Sequence, residues 1–416
     1  MMAALAALAL TACGRRNGRT GQGPYADKVA EAVPQIEAAV GVRFKSPPRL
    51  EVRSKEQVRD FLLKKFDETT PSAEVAGQEA AYKAFGLIPD TLNLRKFLVD
   101  LLTEQIVGYY DPTTKVLYVV QGAPDDLVGV TITHELVHAL QDQYLNLDSL
   151  QRQTGNSDRA TAAQAVIEGQ ATYEQMSIML GGGDIAQHMI GGWDKVRQTI
   201  RESQGSMPIF SSAPIVIQEE LLFPYLSGAE FIRRFKQHEP GKQPWLDMPV
   251  STAQVLHEDQ FFGAQRQVPV SLTLPSTTGR TVYENVLGEF DTRLLIYQFS
   301  QDQNLAYRGA EGWIGDRYRI VSTPAGNAVV WATAWKSQFE AAEFVEAMGQ
   351  GVTRMYHTGS AALGAGGVRT YTGARHTVQI TPVQVGATSV VLYEDVPQGQ
   401  SPRLLEPSRI TVAPAT

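Results

Sequence analysis

The sequence predicts an α+β protein in which a mainly helical segment precedes a smaller segment of mixed strands and helices. Up to about residue 264, apolar residues recur at the three- and four-residue spacing of amphipathic helices. After that point, short runs rich in β-branched residues become frequent, as in "NAVVWATAW" and "TSVVLYED". We therefore expect two domains, one at 25–264 and an α+β domain at 265–416, and we find no internal repeats.

Composition places the chain among globular proteins and argues against one class of partner. The 416 residues suffice for two or three domains, and 43% hydrophobic with 19% charged residues is typical of a folded chain. The 37 basic and 44 acidic residues give a net charge of −7, and no basic patch of the kind that binds nucleic acid stands out. We expect no nucleic-acid partner.

The first residues resemble a bacterial export signal. Residues 1–13 are apolar and Ala-rich and end in "LTAC", which resembles a lipobox, where a signal peptide is removed and the new N-terminal Cys13 is acylated. The glycine-rich residues 14–24 are typical of a flexible tether. We expect an extracytoplasmic protein of the bacterial cell envelope, lipid-anchored to a membrane through Cys13. The alternative is a disordered cytoplasmic N-terminus with a chance cysteine.

The elements of the first segment follow from local patterns. Two β-rich runs flank the turn residues "DPTT" at 111–114, which predicts a hairpin. A strand is predicted in "RLEVRS", before a helix with Ser54 as its N-cap. The predicted helices are 25–41, 54–66, 78–103 with a break at "GLIPD", the helix after the hairpin, 157–180 and 215–237.

The second segment alternates predicted strands with two predicted helices, near 281–300 and 337–350. The predicted strands are "VSLTL", "RYRIVST", "NAVVWATAW", "HTVQITPVQV" and "TSVVLYED". The stretch "GAEGWIGDRYRI" allows two interpretations, a recognition loop or a tight turn into a strand with Trp313 packed inside.

The stretch "VTITHELVHALQDQ" contains candidate metal-binding and catalytic residues. His134, Glu135 and His138 form H-E-x-x-H, and on a helix positions i and i+4 share one face, so both histidines can point at one ion. Glu135 lies beside that face, where it can reach a water molecule without being a ligand. Apolar residues spaced along the same run offer a buried stripe, so a pair of core histidines is the alternative.

A catalytic zinc site usually has three protein ligands and an open position. A third histidine six residues after His138 is excluded because Tyr144 stands there. The stretch "AVIEGQATYEQ" supplies Glu168, thirty positions after His138 on a second predicted helix. Gly169 beside it removes a side chain where two helices must approach.

"HELVH" followed by "EGQATY" resembles the gluzincin zinc metallopeptidases, the thermolysin-like clan, over residues 130–174. The resemblance implies a zincin-like fold, Zn2+ held by His134, His138 and Glu168, and Glu135 as catalytic base. Thermolysin-like enzymes often place an aspartate four residues after the ligand glutamate, where this chain has Thr172, so another group must orient the imidazoles. Asp142 is a candidate for that role.

Two further features complete the prediction. In the clan, an edge strand before the motif helix pairs with an extended substrate, and "KVLYVV" is placed to do so, although it could equally be a packed strand. Candidate donors to the oxyanion are Tyr173, Tyr225 and His257, each of which could instead be a packing or surface residue.

The function predicted from these residues is zinc-dependent hydrolysis of peptide bonds in a peptide or protein substrate. The alternative is a catalytically silent lipoprotein on a zincin scaffold that binds a partner or the envelope. An intact Glu135 favours the enzyme, because a purely structural zinc has no use for a base there.

Overall fold

The computed structural model describes residues 24–69, 71–150, 154–182 and 207–414, so Cys13 and the predicted signal peptide lie outside the described residues. In the first segment the helices are α1 (Ala26–Val40), α2 (Lys55–Thr69), α3 (Ser72–Ala84), α4 (Leu94–Gln105), α5 (Asp125–Asp142), α6 (Leu147–Leu150), α7 (Ser157–Met179), α8 (Pro208–Ser212), α9 (Ile215–His238), α10 (Thr252–Leu256) and α11 (Glu258–Phe262). The strands there are β1 (Arg49–Arg53), β2 (Gly108–Asp111) and β3 (Val116–Val120). The predicted helices and the predicted hairpin are present.

The second segment has the helices α12 (Gly288–Ser300), α13 (Gln303–Ala310) and α14 (Gln338–Tyr356). Its strands are β4 (Val270–Thr273), β5 (Arg280–Asn285), β6 (Trp313–Thr323), β7 (Gly326–Trp335), β8 (Ala362–Leu363), β9 (Arg369–Thr372), β10 (His376–Val385), β11 (Thr388–Pro397) and β12 (Thr411–Pro414). The fold class is therefore α+β, as predicted. No helix in the described part of the chain combines the length and apolar character needed to cross a bilayer.

The small sheet of the first segment has the order β1-β3-β2. Strand β3 pairs in parallel with β1 on one side and antiparallel with β2 on the other. The prediction that "KVLYVV" forms the edge strand is therefore wrong, because its backbone groups are already paired on both sides. The edge strand next to the motif helix is β2.

The large sheet has seven strands in the order β5-β6-β7-β11-β10-β9-β8. The helix predicted near 281–300 begins later than expected, because Arg280–Asn285 pairs with β6 as an edge strand and the helix starts only at Gly288. Trp313 is buried at the start of β6, and its indole N–H donates to Asp316 at 3.1 Å. "GAEGWIGDRYRI" is thus a turn into a packed strand.

One apolar core runs through both segments. It contains Val166 and Tyr225 from the helices near the motif and Trp331 from the large sheet. Phe85, just after α3, meets Tyr318 and Trp331 edge-on with ring centroids 5.3 and 5.8 Å apart. The helices of the first segment therefore pack directly on one face of the large sheet.

Candidate metal centre

Helix α5 presents its two histidines inside the protein. Pro124 precedes the helix, and Asp125 and Asp126 occupy the first turn, where negative charge complements the helix dipole. The predicted apolar stripe packs against α1 and β3 and consists of Val128, Ile132, Leu136 and Leu140, all fully buried. Burial of this stripe fixes the rotation of α5 and turns the histidine face toward α7.

His134, His138 and Glu168 converge. The Nε2 atoms of the two histidines are 3.2 Å apart, and Glu168 Oε2 lies 3.3 Å from His134 Nε2 and 3.2 Å from His138 Nε2. The three residues are 1%, 7% and 5% exposed. Within the described residues they are the group of histidine and carboxylate side chains able to hold a metal ion.

The spacing of these donor atoms fits a small metal ion. The centre of three atoms separated by 3.2–3.3 Å lies about 1.9 Å from each, and typical Zn–N and Zn–O distances are about 2.0–2.2 Å. The three donors are therefore close enough together to hold an ion of that size without movement of the backbone. The donor set itself, two imidazoles and a carboxylate, is one that zinc favours.

Two glutamines orient the imidazoles. His138 Nδ1 lies 2.9 Å from Gln141 Oε1, and His134 Nδ1 lies 3.1 Å from Gln175 Oε1. The Gln141 amide nitrogen donates to the Ile167 carbonyl at 3.1 Å, which leaves its oxygen facing the ring. An oxygen acceptor requires Nδ1 to carry the proton, so the lone pair on each Nε2 faces Glu168.

The carboxylate of Glu135 borders the three donors. Its Oε2 accepts a hydrogen bond from the Tyr110 backbone N–H at 2.7 Å, which ties it to the edge strand β2. Its Oε1 is buried and has no hydrogen-bond partner among the described residues. Burial raises the pKa of Glu135 to about 8, and His138 opposes that rise. A dication held by the neighbouring donors would favour the charged form.

Tyr225 packs against one of the two histidines. Its ring stacks on that of His134 with centroids 5.9 Å apart. Its buried hydroxyl makes no hydrogen bond within 3.5 Å to the described residues. Burial, together with the nearby Glu168 and Glu135, holds the pKa of Tyr225 well above its ordinary value, so the phenol keeps its proton and can donate it in a hydrogen bond.

Close contact between α7 and α9 places Glu168 and Tyr225 together. A Cβ added to Gly169 would lie 2.2 Å from the Gly228 carbonyl carbon, and one added to Gly228 would lie 2.2 Å from the Ala165 carbonyl oxygen. Only glycine permits this approach, as expected for Gly169 from the sequence.

The remaining predicted residues lie elsewhere. His257 Nε2 pairs with Glu289 Oε1 at 2.6 Å, and Glu289 also binds Arg293. Tyr173 lies about 140° around α7 from Glu168, with the Lys236 ammonium 5.1 Å from its ring centroid. The structure therefore does not bring these two side chains to the three donors.

Asp142 does not contact the imidazoles either. It accepts hydrogen bonds from the Tyr110 hydroxyl at 2.8 Å and the Lys115 ammonium at 2.6 Å. Sequence reasoning missed Gln141 and Gln175, although Gln141 follows His138 by one turn and Gln175 follows Glu168 by two turns.

The chain is similar to one family model and to one solved structure. Residues 276–399, which include the whole seven-stranded sheet, match the family model of a domain of unknown function, DUF8575. No curated protein matches. The chain is similar to a crystal structure of a candidate hydrolase with a novel fold from Chloroflexus aurantiacus, at 16% identity and a TM-score of 0.34, over 57% of this chain and 87% of that one.

Proposed function

We propose that the protein is a zinc-dependent metallopeptidase of the gluzincin type. The observation that carries the proposal is the convergence of His134, His138 and Glu168 with an unpartnered, buried oxygen of Glu135 beside them. A purely structural zinc site is typically closed by four ligands. Three donors with an adjacent carboxylate favour catalysis, and the two-histidine, one-glutamate set favours zinc among the available metals.

Each side chain then has a defined role in hydrolysis. A zinc ion held by these donors would supply Lewis acidity, which would polarise a peptide carbonyl and lower the pKa of a bound water to about 7. Glu135 accepts the proton of the attacking water and passes it to the amine nitrogen as the C–N bond breaks. Tyr225 donates its hydroxyl hydrogen to the carbonyl oxygen as negative charge develops there.

The edge strand β2 offers a place for an extended substrate. The Val120 N–H donates to the Val107 carbonyl, and hydrogen-bonded pairs alternate along an antiparallel ladder. The backbone groups of Gly108 and Tyr110 therefore point away from β3. Since the Tyr110 N–H reaches Glu135, a peptide paired with this edge would have its backbone next to the catalytic base.

The first experiment measures metal content of the full-length chain by elemental mass spectrometry, beside Glu168→Ala. We expect about one zinc per chain and its loss in the variant. Absence of zinc in the parent protein, even after zinc is added back, would show that "HELVH" is only a packed helix.

The second experiment separates an enzyme from a silent scaffold. Glu135→Gln should retain zinc and lose cleavage of a mixed peptide library, because an amide cannot accept the proton. Glu220→Gln is a matched control, since this half-buried glutamate accepts a hydrogen bond from the Tyr82 hydroxyl outside the metal centre and an amide oxygen can still accept that bond. Unchanged cleavage in Glu135→Gln would refute the mechanism, and absence of cleavage in the zinc-loaded parent would favour a binding protein.

We also propose that the enzyme acts outside the cytoplasm on a lipid anchor at Cys13, a proposal that rests on "LTAC" alone. Metabolic labelling with a radioactive fatty acid should mark the parent protein and not Cys13→Ser. Equal labelling would refute the anchor.

A further inference from the structure

A second cleft lies away from the metal centre. It has a volume of about 870 Å³ and lies between α3, the end of α14 and the turn before β10. None of the metal-centre residues lines it. It lies where a helix of the first segment meets the seven-stranded sheet, and the proposed peptidase reaction does not use it.

A buried carboxylate orients a histidine at this cleft. Asp395, 3% exposed on β11, accepts from His376 Nδ1 at 2.8 Å and from the Tyr356 hydroxyl at 2.5 Å. The Tyr356 ring stacks on the imidazole with centroids 4.8 Å apart and planes 6° apart. The ring of His376 is thus fixed on two sides, and its Nε2 has no partner among the described residues. The hydrogen bond to Asp395 raises the pKa of His376, which favours the protonated, donating ring.

The hydrogen-bonding groups left free in the cleft are mainly donors. The Arg375 guanidinium is exposed and makes no hydrogen bond or ion pair within the described part of the chain. Glu79 is already engaged, since its two oxygens accept from the Lys83 ammonium and the Leu94 backbone N–H, both at 2.7 Å. Asp90 remains as an exposed acceptor.

Small apolar side chains of α3 also line the cleft, beside the paired Glu79 and Lys83. Ala76, Ala80 and Ala84 follow one another at four-residue spacing on α3, so they share one face of the helix. Ile88 and Met355 extend this surface. The cleft therefore combines an apolar surface with hydrogen-bond donors, as small-molecule sites commonly do.

We propose that this cleft binds a small organic anion, with its carboxylate or phosphate head on Arg375 and His376 and its apolar body along the alanine face of α3. Charge-assisted hydrogen bonds from an arginine and a protonated imidazole suit such a head, and the fixed ring reduces the ordering cost of binding. Asp90 repels the same ligand, so removing its negative charge should strengthen binding.

Binding is tested by calorimetric titration of the full-length, zinc-loaded protein with 4-phenylbutyrate. The neutral 4-phenylbutyramide serves as a probe with the same apolar body, and inorganic phosphate serves as a head without one. We expect Arg375→Ala and His376→Gln each to weaken 4-phenylbutyrate binding about tenfold or more. Ala80→Phe should also weaken binding, because the larger ring would cover the alanine face of α3, and Asp90→Asn should strengthen binding about two- to fivefold. Arg409→Ala is the matched control, an exposed arginine outside the cleft that should change nothing.

Three results would overturn the proposal. The first is absence of 4-phenylbutyrate binding at millimolar concentration, and the second is equal affinity for the amide. The third is binding that survives Arg375→Ala and Ala80→Phe but is lost in Glu168→Ala, because the carboxylate would then lie on the metal. Failure of peptide cleavage would not affect this test, so the peptidase proposal and the anion-binding proposal are tested independently.

Discussion

Replacing Gly169 with alanine should separate the two helices that carry Glu168 and Tyr225. The added Cβ would lie 2.2 Å from the Gly228 carbonyl carbon and 2.5 Å from its oxygen, whereas ordinary contacts begin at 3.4 Å. The shortfall is 1.2 Å (3.4 − 2.2 Å). Because the obstructing atoms belong to the backbone, no rotation of a side chain relieves the clash, and α9 must move away from α7.

The expected cost follows from two opposing effects. Overpacking of a close contact costs about 1–3 kcal/mol, while alanine in place of a helical glycine gains up to about 1 kcal/mol. With backbone on both sides we expect the clash to cost about 3 kcal/mol, so after the gain of about 1 kcal/mol the free energy of unfolding should fall by about 2 kcal/mol. A shift of about 1 Å at a reacting centre can also cost about 100-fold in rate, so peptide cleavage should fall as well.

Denaturant titration followed by tryptophan fluorescence, with zinc content measured in parallel, tests this prediction. Gly129→Ala is the matched control, because this glycine is also helical and the nearest atom to its added Cβ is the mobile Lys28 ammonium at 3.5 Å. The control should be neutral or slightly stabilised. If Gly169→Ala unfolds at the same denaturant concentration as Gly129→Ala and keeps its zinc, the packing argument is wrong.

Three other predictions concern Gln141 and Tyr225 at the candidate metal centre and the buried Asp158 outside it. Gln141→Leu removes the acceptor for the His138 ring and should weaken zinc binding about 10- to 100-fold in a chelator competition, whereas Gln141→Glu should retain zinc; equal affinities would contradict this role. Tyr225→Phe should keep its zinc and lose about 10²–10³-fold in kcat, and full activity would assign the oxyanion to another donor. Burial raises the pKa of Asp158 from 3.8 to about 7, so the folded chain holds a proton that the unfolded chain has released, and stability should fall as pH rises through that window. Asp158→Asn keeps the acceptor for Thr252 and should reduce this fall; an unchanged difference in unfolding free energy between pH 4.5 and 7.5 would refute the assignment.

The convergence of His134, His138 and Glu168 could be predicted from the sequence because helix periodicity is local. The four-residue spacing of His134 and His138 fixes their common face, and the apolar stripe decides that this face points inward. Glu168 followed from the need for a third donor on a nearby helix. These steps depend on the geometry of single helices, which the sequence pattern specifies well.

The order of the strands could not be predicted in the same way. Strand β3 becomes central because β1, more than sixty residues earlier, pairs with it in parallel. Such pairing depends on distant contacts that no local pattern records. The hydrogen bond from Tyr110 to Glu135 uses a backbone N–H, which every residue except proline carries. The residue type at position 110 therefore does not indicate this bond. The glutamines that orient the imidazoles are equally common on ordinary helices.

Because one apolar core runs through both segments, the chain cannot be divided between them without exposing that core. Cutting the chain near residue 264 would remove the contacts of Phe85 with Tyr318 and Trp331. The helix that carries Tyr225 would also lose part of its packing. Each half would expose large aromatic surface and would tend to aggregate during expression. A destabilising mutation in the large sheet should therefore also melt the metal centre, and loss of catalysis in such a variant would report cooperative unfolding and not a catalytic role.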